Sequence, residues 1–293
     1  MFEGFKKKFF SQQDLNINYL IAGQGPPLLL LHGYPQTHVM WHKVAPLLTD
    51  QFTVVLSDLR GYGDSSKPAS TADHSPYSKR NMANDQVALM GSLGFSSFCV
   101  AGHDRGGRVA HRMALDHPHV VQKLAVLDIA PTYTMYKTAD MEFAKAYYHW
   151  FFLIQAYDLP ERMIAANPAY FLHQKLGQWG LDSGAFTAAA LAEYLRCMTA
   201  EMIHASCEDY RAAASIDLDH DQLDIDQSNK IQCPVLALWG QEGFVGQKYN
   251  IITEWKKWAA QVSGFALPCG HYLAEEAPTE TAEALLQFFR KRP

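Results

Sequence analysis

The chain is short of nearly everything that would tie it to a nucleic acid, a membrane or an oxidising compartment. Its 25 Lys and Arg against 30 Asp and Glu leave a formal net charge of -5, so no basic surplus exists to meet phosphate backbones or anionic lipid. No window approaches the length of a membrane span. Lys6-Lys7-Lys8 is followed only by Phe9-Phe10 before the polar Ser11-Gln12-Gln13-Asp14, which lacks the apolar stretch of a signal peptide. The five cysteines, Cys99, Cys197, Cys207, Cys233 and Cys269, are odd in number and widely spaced, with no C-x-x-C pair. Neither a disulfide framework nor a zinc site is expected from them. They read as reduced, mostly buried thiols, and the chain reads as cytoplasmic, with small molecules as its partners.

Two familiar binding motifs are also incomplete. Gly23-x-Gly25 and Gly61-x-Gly63 lack the third glycine of a dinucleotide fingerprint and read as turns. Asp217-x-Asp219-x-Asp221 begins like a calcium loop, but Gln222 stands where glycine is needed and Ser228 where the closing glutamate belongs, so an acidic connector is the better reading. No metal or organic cofactor is expected, and no internal repeat is evident.

What is present is an alternation. Leu28 to Leu31, Thr53 to Ser57, Phe98 to Ala101, Leu124 to Asp128 and Val235 to Trp239 are short apolar runs ending near turn signals, as in strands buried on both faces. Helical stretches such as Arg80 to Leu93 and Arg108 to His117 lie between them, which predicts an α/β fold with a doubly wound, mostly parallel sheet. From about Pro131 to Asp226 the rhythm becomes aromatic and alanine-rich, including Tyr147-Tyr148-His149-Trp150-Phe151-Phe152 and Phe186 to His204. This reads as an inserted helical cap over residues 131–226, with the core formed by residues 1–130 and 227–293. At 293 residues the chain is long enough for one such core and its insertion.

Ligands of these sheets sit beyond the carboxyl ends of the strands. There the sequence places Gly102-His103-Asp104-Arg105-Gly106-Gly107-Arg108, small residues flanking an aspartate at a sharp strand-to-helix turn. A serine at that apex attacks acyl carbon; an ionised aspartate suits displacement at saturated carbon. Such attack leaves the enzyme esterified, so a base must activate water. His271, in Cys269-Gly270-His271-Tyr272 before the final helix, is the candidate.

Two carboxylates compete to orient that histidine. The usual position follows Val235 to Trp239, where Gly240-Gln241-Glu242-Gly243 offers only Glu242. Asp128 is preferred, because an unpaired aspartate at a buried strand end would be costly. His32-Gly33-Tyr34-Pro35 fits an oxyanion loop, with backbone N–H groups of Tyr34 and Arg105 as donors. Arg105 and Arg108, one helical turn apart, make sense beside a substrate that brings its own negative charge.

These features resemble the fluoroacetate (haloacetate) dehalogenases of the α/β-hydrolase superfamily, over nearly the whole chain. The likeness rests on His32-Gly33-Tyr34-Pro35-Gln36, Asp58-Leu59-Arg60-Gly61-Tyr62-Gly63, Gly102 to Arg108, Leu127-Asp128-Ile129, His149-Trp150, Asp209-Tyr210-Arg211 and Gly270-His271. Arg105 replaces the tryptophan that follows the nucleophile in haloalkane dehalogenases, and Tyr34 stands where the family more often has phenylalanine. The resemblance implies Asp104 as nucleophile, His271 as base and Asp128 as its acid. It further implies Arg105 and Arg108 on the substrate carboxylate, His149, Trp150 and Tyr210 as donors to the halide, and a homodimer. From the pattern alone His149 and Trp150 would be core, and Tyr147, Tyr148 and Phe151 remain so. The expected reaction turns a small anionic 2-haloacid into the 2-hydroxyacid. An epoxide hydrolase using the same Asp104 and His271, with Tyr210 protonating the ring oxygen, is the alternative. A small-acid binding protein on this fold is a third reading, disfavoured by the intact nucleophile, base and acid.

Overall fold

The computed structural model describes residues 1–179 and 184–290. Among these residues eight strands form one sheet in the order β1-β2-β4-β3-β5-β6-β7-β8. They are β1 (Lys6–Gln12), β2 (Leu15–Ala22), β3 (Pro27–Leu31), β4 (Thr53–Ser57), β5 (Phe98–His103), β6 (Val121–Leu127), β7 (Val235–Gly240) and β8 (Val262–Leu267). From β4 to β8 every pairing is parallel, whereas β1 and β2 join antiparallel. The five apolar runs are the middle of this sheet, and β3 to β6 are buried along almost their whole length. Helices α1 (Lys79–Ser92) and α2 (Arg105–Asp116) separate β4, β5 and β6. Pro118 lies just beyond α2, where a helix cannot easily continue.

The N-terminal hairpin and the other edge strand, β8, are elements that the pattern did not suggest. Six of the seven residues of β1 are exposed, so this edge strand has neither an apolar run nor a buried face to betray it. A polar, lysine-bearing edge is what keeps an open sheet from pairing with another chain.

Between β6 and β7 the described residues form eight helices: α3 (Thr132–Lys137), α4 (Met141–Ala146), α5 (Tyr148–Phe152), α6 (Leu159–Ala165), α7 (Pro168–Trp179), α8 (Ala188–Cys197), α9 (Ala200–Ala213) and α10 (Ile216–Asp226). The stretch Phe186 to His204 is two helices rather than one. Thr187 and Thr199 each accept a backbone N–H three residues ahead, and such N-caps start new helices. After β7 come α11 (Phe244–Lys248), α12 (Ile251–Lys256), α13 (Leu273–Glu276) and α14 (Pro278–Arg290). All five cysteines are free and buried. No helix among the described residues is long and apolar enough to cross a membrane.

Ion pairs fasten the insertion to the core. The acidic triplet lies within α10, not in an open connector: Asp217 accepts from the Lys79 backbone N–H at 2.8 Å, and Arg112 reaches Asp221 and Asp224 at 2.8 and 2.6 Å. On the opposite flank Tyr194 of α8 donates to Glu275 of α13 at 2.6 Å and accepts from Gln36 at 3.1 Å. Glu275 is 1% exposed, and burial pushes its carboxyl from 4.5 up to about 7 against the opposing pull of Tyr194 and Lys43. A carboxyl with a raised folded pKa favours the fold when protonated. That preference is full below 4.5 and is lost as pH rises through about 7. Relative to a Glu275→Gln variant, the wild type should therefore lose on the order of 3 kcal/mol between pH 4.5 and 7, which paired denaturant titrations across that range would read.

Candidate active site

The strand-to-helix turn is built by close approach. β5 ends at His103, α2 starts at Arg105, and Asp104 between them has φ 47° and ψ -114°, a strained backbone for a residue with a side chain. A Cβ at Gly102 would lie 2.4 Å from the Gly106 carbonyl oxygen, and one at Gly106 would lie 2.4 Å from that of His32. Gly33 faces the Asp104 side chain, with 2.5 Å from its would-be Cβ to the Asp104 Cβ. The loop His32-Gly33-Tyr34-Pro35 and the turn therefore interlock. Asp104 Oδ1 accepts the Tyr34 backbone N–H at 2.9 Å, and the first-turn N–H groups of α2, Arg105 included, have no acceptor within the helix. Burial alone would raise the Asp104 carboxyl, but His271, Arg108, His103 and Arg105 outweigh it and hold it below its ordinary value. Asp104 is ionised, buried and aimed by its turn.

His271 and Asp128 meet at 2.6 Å, Nδ1 to Oδ2. The other oxygen of Asp128 accepts the Gly240 backbone N–H at 2.9 Å, so both are held. Glu242 is exposed and takes no part. Gly243 packs tightly on the Asp128 carboxylate: a Cβ there would come within 3.2 Å of Oδ1. His103, read only as part of a motif, has a task of its own: its Nε2 lies 2.7 Å from the His271 carbonyl oxygen. Burial first, then the neighbouring His271, lowers its pKa to about 3, so the ring is neutral and donates there.

Arg105 and Arg108 are both fully buried and differ in what holds them. Arg105 gives Nε and Nη2 to the Asp209 carboxylate at 2.9 and 2.6 Å, and Nη2 also to the Asp209 carbonyl at 2.9 Å. Its guanidinium carbon lies 4.1 Å from the Tyr210 ring centroid. Arg108 Nη1 reaches Thr132 Oγ1 at 2.9 Å and the Ala130 carbonyl at 3.1 Å, and its guanidinium carbon sits 4.7 Å from the Trp150 ring centroid. Neither guanidinium is used up: Arg105 Nη1 and Arg108 Nε are buried without a hydrogen-bond partner among the described residues. Asp209 anchors Arg105, a task that the sequence pattern does not show. It also accepts from Tyr62 at 2.6 Å and from Lys79, and no spacing in the sequence could pair positions 104 residues apart.

The aromatic residues of α5 and α9 close the group. The His149 ring centroid lies 6.3 Å from that of Tyr34 and 5.6 Å from that of Tyr210, and Trp150 lies 6.3 Å from Tyr210. Trp150 Nε1 and the Tyr210 hydroxyl are buried without a hydrogen-bond partner among the described residues. Tyr147 stacks on Phe143 at 5.0 Å and belongs to the aromatic core as expected. Tyr148 does not, being 39% exposed, because it covers Lys175, another residue that sequence patterns did not single out. Among the described residues no group of three or more His, Cys, Asp or Glu is placed to hold a metal.

A mostly parallel sheet, an elbow after its central strand and a histidine beyond the last strand paired with a carboxylate after β6 define an α/β hydrolase, here with aspartate at the elbow. A family model of the alpha/beta hydrolase fold matches residues 26–278. The chain is 45% identical over 290 residues to the fluoroacetate dehalogenase of Burkholderia sp, covering 98% of this chain and 95% of that one. It is 35% identical to the soluble epoxide hydrolase of Corynebacterium sp. (strain C12), with 93% of each chain covered. A solved structure from Nostoc sp PCC 7120, assigned to the alpha/beta hydrolases, shares 60% identity and a TM-score of 0.98 over the whole of both chains. The chain belongs to the α/β-hydrolase family and is a haloacetate dehalogenase-like member of it.

Proposed function

We propose that the protein hydrolyses fluoroacetate or a related small 2-haloacid to the 2-hydroxyacid and halide. The observation that carries this reading is the pair of buried, unpartnered guanidinium N–H groups beside an ionised aspartate. A neutral alkane would leave both donors desolvated for nothing; a carboxylate satisfies them. With the substrate so held, its C2 lies toward Asp104. The Tyr34 N–H already occupies Oδ1, so Oδ2 is the attacking oxygen. It forms the C–O bond as the carbon–halogen bond breaks, and the halide leaves with the bonding pair. His149, Trp150 and Tyr210 donate to it as charge develops, which matters most for strongly hydrated fluoride.

The ester is then opened by water. His271, oriented by Asp128, takes a proton from water, whose oxygen attacks the Asp104 carbonyl carbon. Tyr34 and Arg105 backbone N–H groups receive the charge on Oδ1, and collapse releases the hydroxyacid as its alkoxide takes a proton from His271. No cofactor enters the balance. In this reading residues 131–226 act as the cap over the site, and assembly as a homodimer is proposed on the resemblance alone.

Epoxide hydrolysis is the second reading, favoured by the Corynebacterium relative and by a Tyr210 hydroxyl available to protonate a ring oxygen. Separate incubations with fluoroacetate, chloroacetate and styrene oxide decide between them. Free halide should appear from the haloacids and no diol from the epoxide. With His271→Gln, halide should be released once per enzyme and the protein should gain one carboxymethyl group by intact mass. Chloride without fluoride would narrow the substrate to weaker carbon–halogen bonds, and diol alone would overturn the reading.

A further inference from the structure

On the halide side of the site stands a buried lysine to which the proposed steps give no task. Lys175 of α7 is 1% exposed. Among the described residues its Nζ lies near His149 Nδ1 at 3.2 Å, Gln178 Oε1 at 3.1 Å and the ring of Tyr148, with its centroid 4.7 Å away. An ammonium can donate to all three at once, whereas a neutral amine would have to accept from one of them. Its own backbone is pinned as well, since the Lys175 carbonyl accepts from the Tyr272 hydroxyl at 3.0 Å. That bond fixes α7 against the loop carrying the base. Burial lowers the ammonium to about 7, against the opposing pull of the Asp104 charge.

The consequence falls on His149. Burial first, then Lys175, His271 and the two arginines, hold its pKa well below the ordinary value, so the imidazole is neutral. A neutral imidazole carries one N–H, and the position of that proton is set by what the other nitrogen accepts. We propose that Lys175 is a positioning residue: by donating to Nδ1 it fixes His149 as the Nε2–H tautomer, so that the ring offers the departing anion a donor and not a lone pair. The tautomer assignment stands on geometry; calling the anion a halide rests on the dehalogenase reading.

The test is nitrogen NMR of protein labelled in its histidine imidazoles, with the His149 signals identified by their loss in His149→Gln. In the wild type His149 should show Nε2 protonated and Nδ1 as an acceptor. Lys175→Met should move the proton to Nδ1 or give a mixture, and Lys175→Arg should restore the wild-type pattern. With fluoroacetate, Lys175→Met should lower kcat on the order of 10²-fold with KM changed little, and chloroacetate turnover should fall less. A wild-type His149 protonated at Nδ1 would overturn the inference, whatever the variants do. So would Lys175→Met that leaves tautomer and kcat unchanged. If the tautomer behaves as expected but the wild type releases halide from no haloacid, the assignment stands and the dehalogenase reading falls.

Discussion

Asp104→Asn should reduce turnover of a haloacid by roughly 10⁴-fold or more without disturbing the fold. Asparagine is nearly isosteric and its amide oxygen can still accept the Tyr34 N–H at the position of Oδ1. What disappears is the ionised oxygen opposite, the only atom in the proposed scheme that bonds to substrate carbon. A structural role for the carboxylate would instead be read as lost stability with activity scaled to the folded fraction. The companion measurement is a single turnover in ¹⁸O-water with wild-type enzyme in excess. The heavy atom should enter the peptide bearing Asp104, and the first hydroxyacid released should carry none. Heavy oxygen in that first product would mean that water attacks the substrate directly and that Asp104 is not a nucleophile.

Asp209→Asn should be the most destabilising isosteric change in the chain, by about 3–5 kcal/mol. The carboxylate is fully buried and faces two cations, Arg105 and Lys79, as well as the Tyr62 hydroxyl. Burial would raise its pKa, yet Arg105 and Lys79 hold it far below the ordinary value. Neutralising it removes the carboxylate that Arg105 and Lys79 share, and the Asp217 carboxylate, 3.6 Å from Lys79 Nζ, compensates for one of the two charges only in part. A fall in Tm on the order of 10 °C is expected, against a much smaller one for Tyr62→Phe, which removes a single hydrogen bond. The sign with pH follows from the depressed pKa. The stabilisation is present above the ordinary value of 3.8 and fades as pH falls below it, so wild type and variant should converge in acid. On the proposed dehalogenase reading, the surviving fold should bind a haloacid less well, because Asp209 also fixes the plane of the Arg105 guanidinium. Equal stability across pH 3 to 7 would remove Asp209 from its assigned place.

What could be read beforehand divides along a physical line. The five central strands and the turn at Asp104 were legible because burial on both faces demands continuous apolar runs and because close approach demands glycine. Asp128 was legible from the cost of a lone carboxylate at a buried strand end, and its bond to His271 is now seen. The first hairpin was not, since an exposed edge leaves no hydrophobic period. Asp209 and Lys175 were not legible for another reason. Each acts through a partner far away in the chain, Arg105 for one and His149 for the other. An acid on a helix of the insertion resembles any solvated acid until the fold brings a guanidinium to it. The same holds for a lysine beneath a tyrosine.

The position of the carboxylate at the end of β6 has an outcome for sequence drift. Gly240 and Gly243 are constrained by shape, since a Cβ at Gly240 would come within 1.9 Å of the Gly270 carbonyl oxygen and one at Gly243 would press on Asp128. Gln241 and Glu242 between them are exposed and carry no chemistry. The turn after β7, which elsewhere in this fold houses the acid, is here a mute spacer, open at its tip to almost any polar pair, closed to a side chain at Gly240 and tight at Gly243.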